Sequence, residues 1–217
     1  MGKSNIDIHT INNEEIKHID EIRDLGILIN KKLDFSNHIC KIIRNAYFKS
    51  IQLLKIIKSN KPMVWTQAYK IYVRSQLEYS TEVWNPSKKK LIEKIERVQK
   101  FFTRIALKKC NIPYTDYDER LKIFQLEKLE KRRLINDLVT LFKIIKGYTN
   151  LNPSYLFSFS NRVSRKHQLQ IIVKHRNNLT KNSFIVRTTN NWNNLNESIV
   201  NSGSVRSFKQ QIKMLDF

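Results

Sequence analysis

Punctuation is what this chain most lacks. Only four glycines and four prolines interrupt its 217 residues, so turns that depend on either residue are few and long helices are the expected product. Apolar residues at helical spacing fill the intervals. Ile39, Ile43, Ala46, Leu53 and Ile57 predict a helix over about 37–59, with Ser36 as its cap. Pro62 stands at the entry of a second, over 63–84, which carries Trp65, Tyr69, Tyr72, Leu77 and Trp84. Leu91, Ile95, Val98, Phe102 and Ile105 mark a third, over 88–109, capped by Ser87 and stopped before Pro113. Asp116 opens a short helix through Phe124. A longer one follows from about Leu126, and Gly147 ends it.

The first thirty residues read differently. Ile6, Ile8 and Ile11 precede Asn12-Asn13, then come Ile16, Ile19 and the run "DLGILI". Short β-branched runs around an Asn-Asn pair predict small strands or a hairpin. Gly26 inside the last run predicts a bulge or a close backbone approach. After Gly147 the helical period weakens. Residues 148–166 read as loop with one short helix, "QLQIIV" (168–173) as a strand, and "FIVRTTNNWNNL" and "SVRSFKQQIKML" as two short amphipathic helices. The expected fold is mainly α in three parts: a β-hairpin region over 1–30, a helical bundle over 31–147, and a basic, partly helical segment over 148–217.

Charge narrows the partners. Forty Lys and Arg against nineteen Asp and Glu leave +21, in a chain whose 41% hydrophobic content is far from a disordered composition. A foldable chain this basic meets nucleic acid most often and an anionic membrane less often. Residues 1–30 hold three basic and six acidic groups, whereas residues 31–76 hold ten and one. The positive field therefore begins after the hairpin region. With no apolar run of membrane-spanning length and no signal-peptide core, an intracellular protein, nuclear or cytoplasmic and not secreted, is expected, with no membrane partner. Cys40 and Cys110 are far apart and lack the spacing of a disulfide framework or zinc site, so both read as buried thiols, His38 near Cys40 notwithstanding.

The stretch "YDERLKIFQLEKLEKRRLINDLVTLFKIIKG" (117–147) places Lys131, Arg132 and Arg133 side by side. On a helix at about 100° per residue, Leu134, Leu138, Leu141, Phe142 and Ile145 share an apolar arc. Lys131 falls at its edge with the ammonium outward. Arg133 stands four residues before Asp137, the spacing of an ordinary exposed pair. Arg132 shares with Lys128, Lys143 and Lys146 a stripe that carries no acid. The preceding helix has a similar row: Lys90, Arg97, Arg104 and Lys108, with Phe101 beside them and Glu93–Arg97 and Glu96–Lys100 at pairing distance in sequence. A single stripe is usually a solvated face. Two of them on neighbouring helices of so basic a chain point to phosphate contact, which needs density and a shared face rather than a motif.

Catalytic signals are absent from the sequence. There is no glycine-rich phosphate loop, no Gly-x-Ser-x-Gly, no Asp-Asp pair and no other acidic cluster spaced for two metal ions. As an isolated chain it is expected to be no enzyme and to carry no cofactor.

Four blocks in order, "IRDLGILINKKLDFSNHI" (22–39), "YKIYVRSQLEYSTEVWNP" (69–86), "IERVQKFFTRIA" (95–106) and the stretch over 117–147, resemble the C-terminal part of reverse transcriptases from LINE-type, non-LTR retrotransposons of the jockey group. Arg187 with "WNNL" (192–195), and Phe208-Lys209, are similar to the family's downstream "R-x-x-x-x-W-N-x-L-P" and "F-K". Arg165-Lys166-His167 stands where the family has "R-G-H", and Asn196 where it has Pro. The resemblance implies that Asp24, Leu25 and Gly26 belong to the primer-grip hairpin at the end of the palm, and that residues 31–147 form the thumb. Catalytic aspartates and their Mg²⁺ would belong to a palm that this sequence lacks. The implied partners are RNA, DNA or an RNA–DNA duplex. Two readings stay open: a truncated C-terminal portion of an RNA-directed DNA polymerase, or a basic helical nucleic-acid-binding protein that stands alone, whether or not co-opted from such an element. Trp192 reads as a core anchor under both.

Overall fold

The computed structural model describes residues 10–12, 14–15, 17–160, 167–172 and 182–215. It is mainly helical, with a small β portion near the N-terminus. Strands β1 (Thr10–Ile11) and β2 (Glu14–Glu15) pair antiparallel, and Asn12, directly after β1, takes a positive φ of 51°. Strands β3 (Glu21–Asp24) and β4 (Ile27–Asn30) form a second antiparallel hairpin, with Asp24 opposite Ile27. Gly26 is thus no bulge. Leu25 (φ 43°) and Gly26 (φ 89°) are the two corners of the tightest hairpin connection, whose twist requires positive φ at both. Ile6, Ile8 and Ile16, expected in strands, lie outside the described residues.

Helix α1 (Ser36–Ile56) follows a turn tied by side chains. Ser36 is its first residue rather than its cap. The carboxylate of Asp34 accepts from the Ser36 backbone N–H at 3.0 Å and from its hydroxyl at 2.6 Å, and these bonds hold the Asp34 carboxyl below its usual range. The predicted second helix is broken into four. Pro62 opens α2 (Pro62–Ala68), a π-helix covers Tyr69–Arg74, α3 is Ser75–Glu78, and α4 is Thr81–Trp84. The π segment has a reason in the sequence. Trp65, Tyr69, Val73 and Leu77 are all fully buried at spacings of four, which on an α-helix would rotate by about 120° over the series. A wider turn keeps the four in register. The same register leaves Tyr72 outside, more than half exposed, contrary to its expected place in the core. Between α3 and α4 the chain turns at Tyr79 and Ser80 (φ 51°), a corner fastened by the Trp84 indole N–H donating to the Tyr79 carbonyl at 2.8 Å.

Helix α5 (Lys89–Lys109) lies alongside α1, with Tyr47 and Phe101 meeting edge to face at 5.3 Å. Lys88 precedes it without a side-chain cap, so Ser87 has no capping role. Helix α6 (Tyr117–Ile123) starts as expected, with Asp116 accepting from the Glu119 N–H at 2.8 Å. Helix α7 (Leu129–Ile145) is capped from outside: the Glu96 carboxylate of α5 accepts from the Leu129 N–H at 2.9 Å, a negative charge on a positive helix end. Gly147 (φ 73°) closes α7 with the Tyr148 N–H returning to the Lys143 carbonyl at 2.8 Å. Beyond it come α8 (Pro153–Leu156), the short pair β5 (Ser158–Phe159) and β6 (Ile171–Ile172), then α9 (Phe184–Asn193), α10 (Glu197–Val200) and α11 (Val205–Lys213).

Two apolar cores result. The first gathers Ile27, Ile39, Trp65, Tyr69, Trp84, Val98, Phe102 and Leu129, among others, so the hairpin and helices α1 to α6 enclose it. The second gathers Leu138, Leu141, Phe142, Trp192, Val200, Phe208 and Ile212, with Phe142 stacked on Phe208 at 4.2 Å. Helix α7 is therefore the floor on which the segment after Gly147 packs. Trp192 is a core anchor: it is fully buried and its indole donates to the Leu169 carbonyl at 2.8 Å. Cys110 is buried, whereas Cys40 is exposed on α1, against expectation.

Candidate nucleic-acid interface

The charged row of α5 survives folding intact. Lys90, Arg97, Arg104 and Lys108 are all exposed, and among the described residues none of them is in an ion pair. The pairs expected within the helix do not form. Glu96 has turned inward, where it accepts from the Tyr117 hydroxyl and the Leu129 N–H, and Lys100 lies over the Tyr117 ring at 5.0 Å. Burial first, and then that neighbouring carboxylate, drives the Tyr117 hydroxyl pKa far above its ordinary value. Withdrawing Glu96 leaves Glu93 as the acid of the exposed face, beside Lys90, Lys94, Arg97, Lys100, Arg104 and Lys108.

Helix α1 extends this face. Arg44 and Lys55 are exposed, and Tyr47, half-buried against Phe101, has its hydroxyl pKa raised by burial with Arg97 close enough to offset part of the effect. Where the two helices end together, Lys55, Lys58 and Lys109 line one shallow open depression. Sequence reasoning passed over these three lysines. For Lys55 and Lys58 the signal was the block of ten cations and one acid over residues 31–76, and for Lys109 its place at the end of α5; neither could be assigned to a face until α1 was seen beside α5.

The α7 stripe fares differently. Lys128, just before the helix, pairs with Asp118 at 2.9 Å, both well exposed. Lys143 is exposed, and Lys146 donates to the Asn201 side chain at 3.2 Å. Arg132 is mostly buried and bound in a fork to Glu78 of α3, with Nη2 to Oε2 at 2.8 Å and Nε to Oε1, while Nη1 reaches Glu127 at 3.3 Å. The stripe has no acid along its own helix, but a neighbouring helix supplies one. Arg132 is therefore not a free phosphate ligand.

Arg133 reverses its expected role as well. It is 1% exposed and donates through Nε to the Asn85 side chain at 3.0 Å, not to Asp137. Asp137, equally buried, is taken by Arg187 of α9 at 2.9 and 3.0 Å and by the Asn85 amide at 2.9 Å. Arg187 also donates to the Thr81 and Glu82 carbonyls, so this one side chain ties α9 to α4 and α7. Lys131 is half-buried at the apolar edge, but its ammonium, expected to point outward, donates to the Leu215 carbonyl at 3.0 Å.

Asp24, Leu25 and Gly26 form an exposed hairpin tip. Leu25 is 81% exposed, and its carbonyl accepts from the Tyr79 hydroxyl at 3.1 Å, which anchors the tip to the corner between α3 and α4. Beneath it, His38 is buried with Nδ1 accepting from the Leu28 N–H at 3.4 Å and its ring edge-on to Trp84. Burial, and secondarily the charge of Lys41, lowers its pKa. Arg165 and Lys166 lie outside the described residues; His167 is buried against Trp192. Among the described residues, no group of three His, Cys, Asp or Glu side chains is placed to hold a metal ion, and no helix is long and apolar enough to cross a membrane.

The chain is 32% identical over 128 residues to the uncharacterized protein B0403.1 of Caenorhabditis elegans, a match that covers 59% of this chain and 65% of that protein. It thus spans a little under two thirds of the relative's length. No family model matches the chain, and no solved structure matches it.

Proposed function

We propose that this protein holds a nucleic-acid duplex by its backbone, along the exposed face of α5 and the adjoining end of α1. One observation carries the reading: Lys90, Arg97, Arg104 and Lys108 stand in a single exposed row that is free of ion pairs among the described residues. From the first to the last, the row runs about 27 Å along the helix, a length that matches roughly eight phosphates of one strand at ~3.4 Å each. Lysine and arginine on an open helix face meet phosphates and read no bases, so binding is expected to be independent of sequence. Phe101 and Tyr47 at the seam add ring surface for sugar or base contact.

The finer assignment, to the thumb and post-thumb portion of a LINE-type reverse transcriptase, rests on the four ordered sequence blocks. Translating the genomic DNA upstream of Met1 tests it: palm strands with a Phe/Tyr-Ala-Asp-Asp motif favour the polymerase portion, and unrelated sequence favours a stand-alone binding protein.

Fluorescence anisotropy with an RNA–DNA duplex at several salt concentrations tests the binding. Each phosphate contact contributes about 0.9 to the slope of log affinity against log salt. The double variant Arg97→Ala/Arg104→Ala is therefore expected to flatten the slope by about two and to weaken duplexes of different sequence alike. An unchanged slope in that variant would place the duplex elsewhere.

A further inference from the structure

A cavity of about 550 Å³ lies where α1, α5 and α9 begin, a size within the ~300–1,000 Å³ of small-molecule sites. The turn from β4 into α1 lines it with Phe35 and Ile39, the turn from α4 into α5 with Trp84, Pro86 and Leu91, and the start of α9 with Phe184. These walls are held from behind. Trp84 is fully buried, with its indole tied to the Tyr79 carbonyl at 2.8 Å. Asn85, which also lines the cavity, is fixed by Arg133 at 3.0 Å and Asp137 at 2.9 Å. The Arg187 guanidinium backs the Phe184 ring at 5.6 Å.

The polar groups of the lining decide what such a hollow can hold. Both of its acids are already engaged: Asp34 with Ser36 and, at 3.3 Å, with Lys88, and Glu82 with the Thr140 hydroxyl at 3.2 Å. Four other groups are not. Among the described residues the side chains of Ser87, Asn182 and Ser183 make no hydrogen bond, and Lys32 is in no ion pair. An aliphatic guest would take water from these groups and return no bond to them. A nucleobase offers an apolar face to the rings and an edge of donors and acceptors to an amide and two hydroxyls. Its phosphate suits an unpaired ammonium. The cavity also adjoins the proposed duplex face, since Lys88 and Leu91 line it and the α5 row begins at Lys90.

We propose that this cavity binds one unpaired nucleotide, its base among Phe35, Trp84 and Phe184, its edge toward Asn182 and the two serines, and its phosphate toward Lys32. The nucleotide is either the last of a strand or a free mononucleotide. The choice of a nucleotide rests on the reading of α5 as a duplex face, but the cavity uses none of the four cations of that row. Stacking on aromatic rings accepts every base, so no strong sequence preference is expected.

Photo-cross-linking on the full chain tests it. One arm uses 4-thiouridine 5′-monophosphate, the other an RNA–DNA duplex that ends in a single unpaired 4-thiouridine, and mass spectrometry locates the adducts. They are expected on the peptides that contain Trp84 and Phe184. Adducts from the mononucleotide assign the cavity to a free nucleotide, and adducts from the overhang alone assign it to a strand end; either supports the site. The variant Asn182→Ala/Ser183→Ala removes two side chains that make no hydrogen bond among the described residues, so the fold is expected to persist. Its adduct yield should fall at least several-fold. Duplex affinity is measured in parallel by anisotropy. Duplex binding with no adduct in the cavity overturns the site and leaves the duplex face standing, whereas a mononucleotide adduct with no duplex affinity does the reverse. Adducts spread evenly over the surface, or undiminished in the variant, overturn the proposal. So does an anilinonaphthalene sulfonate probe that enters the cavity and that no nucleotide displaces, which would mark an apolar docking site instead.

Discussion

Replacing Arg132 by alanine should cost stability, because this side chain is spent inside the protein. Its guanidinium makes two bonds to the Glu78 carboxylate and a longer one to Glu127, with 18% of its side chain exposed and 13% of that of Glu78. A hydrogen bond to a charged group is worth about 1.5–3 kcal/mol, and breaking a fully buried pair costs about 3–5 kcal/mol because a charge is left uncompensated. Here Arg74 remains 3.6 Å from Glu78 and softens that penalty, so a loss of about 2 kcal/mol is expected, nearer the lower range. Lys128→Ala removes an exposed pair with Asp118 and should cost no more than about 0.5 kcal/mol. Urea unfolding followed by circular dichroism measures both, and the cycle with Glu78→Ala isolates the pairwise part, expected at about 1 kcal/mol or more. An Arg132→Ala chain as stable as Lys128→Ala, or a cycle with no coupling, would refute the reasoning and return Arg132 to the pool of free phosphate ligands.

Three further outcomes are expected. His38 titrates below its ordinary pKa of 6.5 because its neutral form is buried; the unfolded chain therefore takes up the proton first, and stability is complete above about pH 6.5 and lost as pH falls below it, by up to about 1.4 kcal/mol per unit. Unfolding curves of wild type and His38→Gln should converge on acidification, and parallel pH profiles would exclude this source. Phe142→Ala removes the ring stacked on Phe208 in the second core and should cost about 3–5 kcal/mol; a loss under 1 kcal/mol in urea would mean that the C-terminal helices are not held there. Primer extension on a primed RNA template with dNTPs and Mg²⁺ or Mn²⁺ should give no product, and reproducible synthesis free of contaminating polymerase would contradict the reading of the chain as lacking a palm.

The sequence was most legible where one face decides. Amphipathic periods located α1, α5, α6 and α11 to within a few residues, since a helix with one buried side writes its pattern plainly. It misled where burial came from two sides. Helix α7 has a core on each flank and buries Arg133 and Asp137 by giving them to Asn85 and Arg187; read alone, two charges four apart look like an exposed pair. Tyr72 failed for a different reason, because a π-turn changes which residues share a face and no composition rule announces it. The α5 row was legible residue by residue, while the contribution of Lys55, Lys58 and Lys109 needed the neighbouring helix. Arg132 was lost to Glu78, fifty-four positions away, a partner that no helical projection contains.

The position of α7 between the two cores has a consequence in time. During synthesis the hairpin and helices up to α6 can close their core as soon as Leu129 has emerged, yet the other flank of α7, with Leu138, Leu141 and Phe142, must wait for Trp192, Phe208 and Ile212. At ~5–20 residues per second the interval lasts several seconds, during which a half-made chain presents a sticky apolar strip beside a dense positive surface. The yield of such a nascent chain in a cell should respond more to elongation rate over the last third of the message than to the stability of the finished fold.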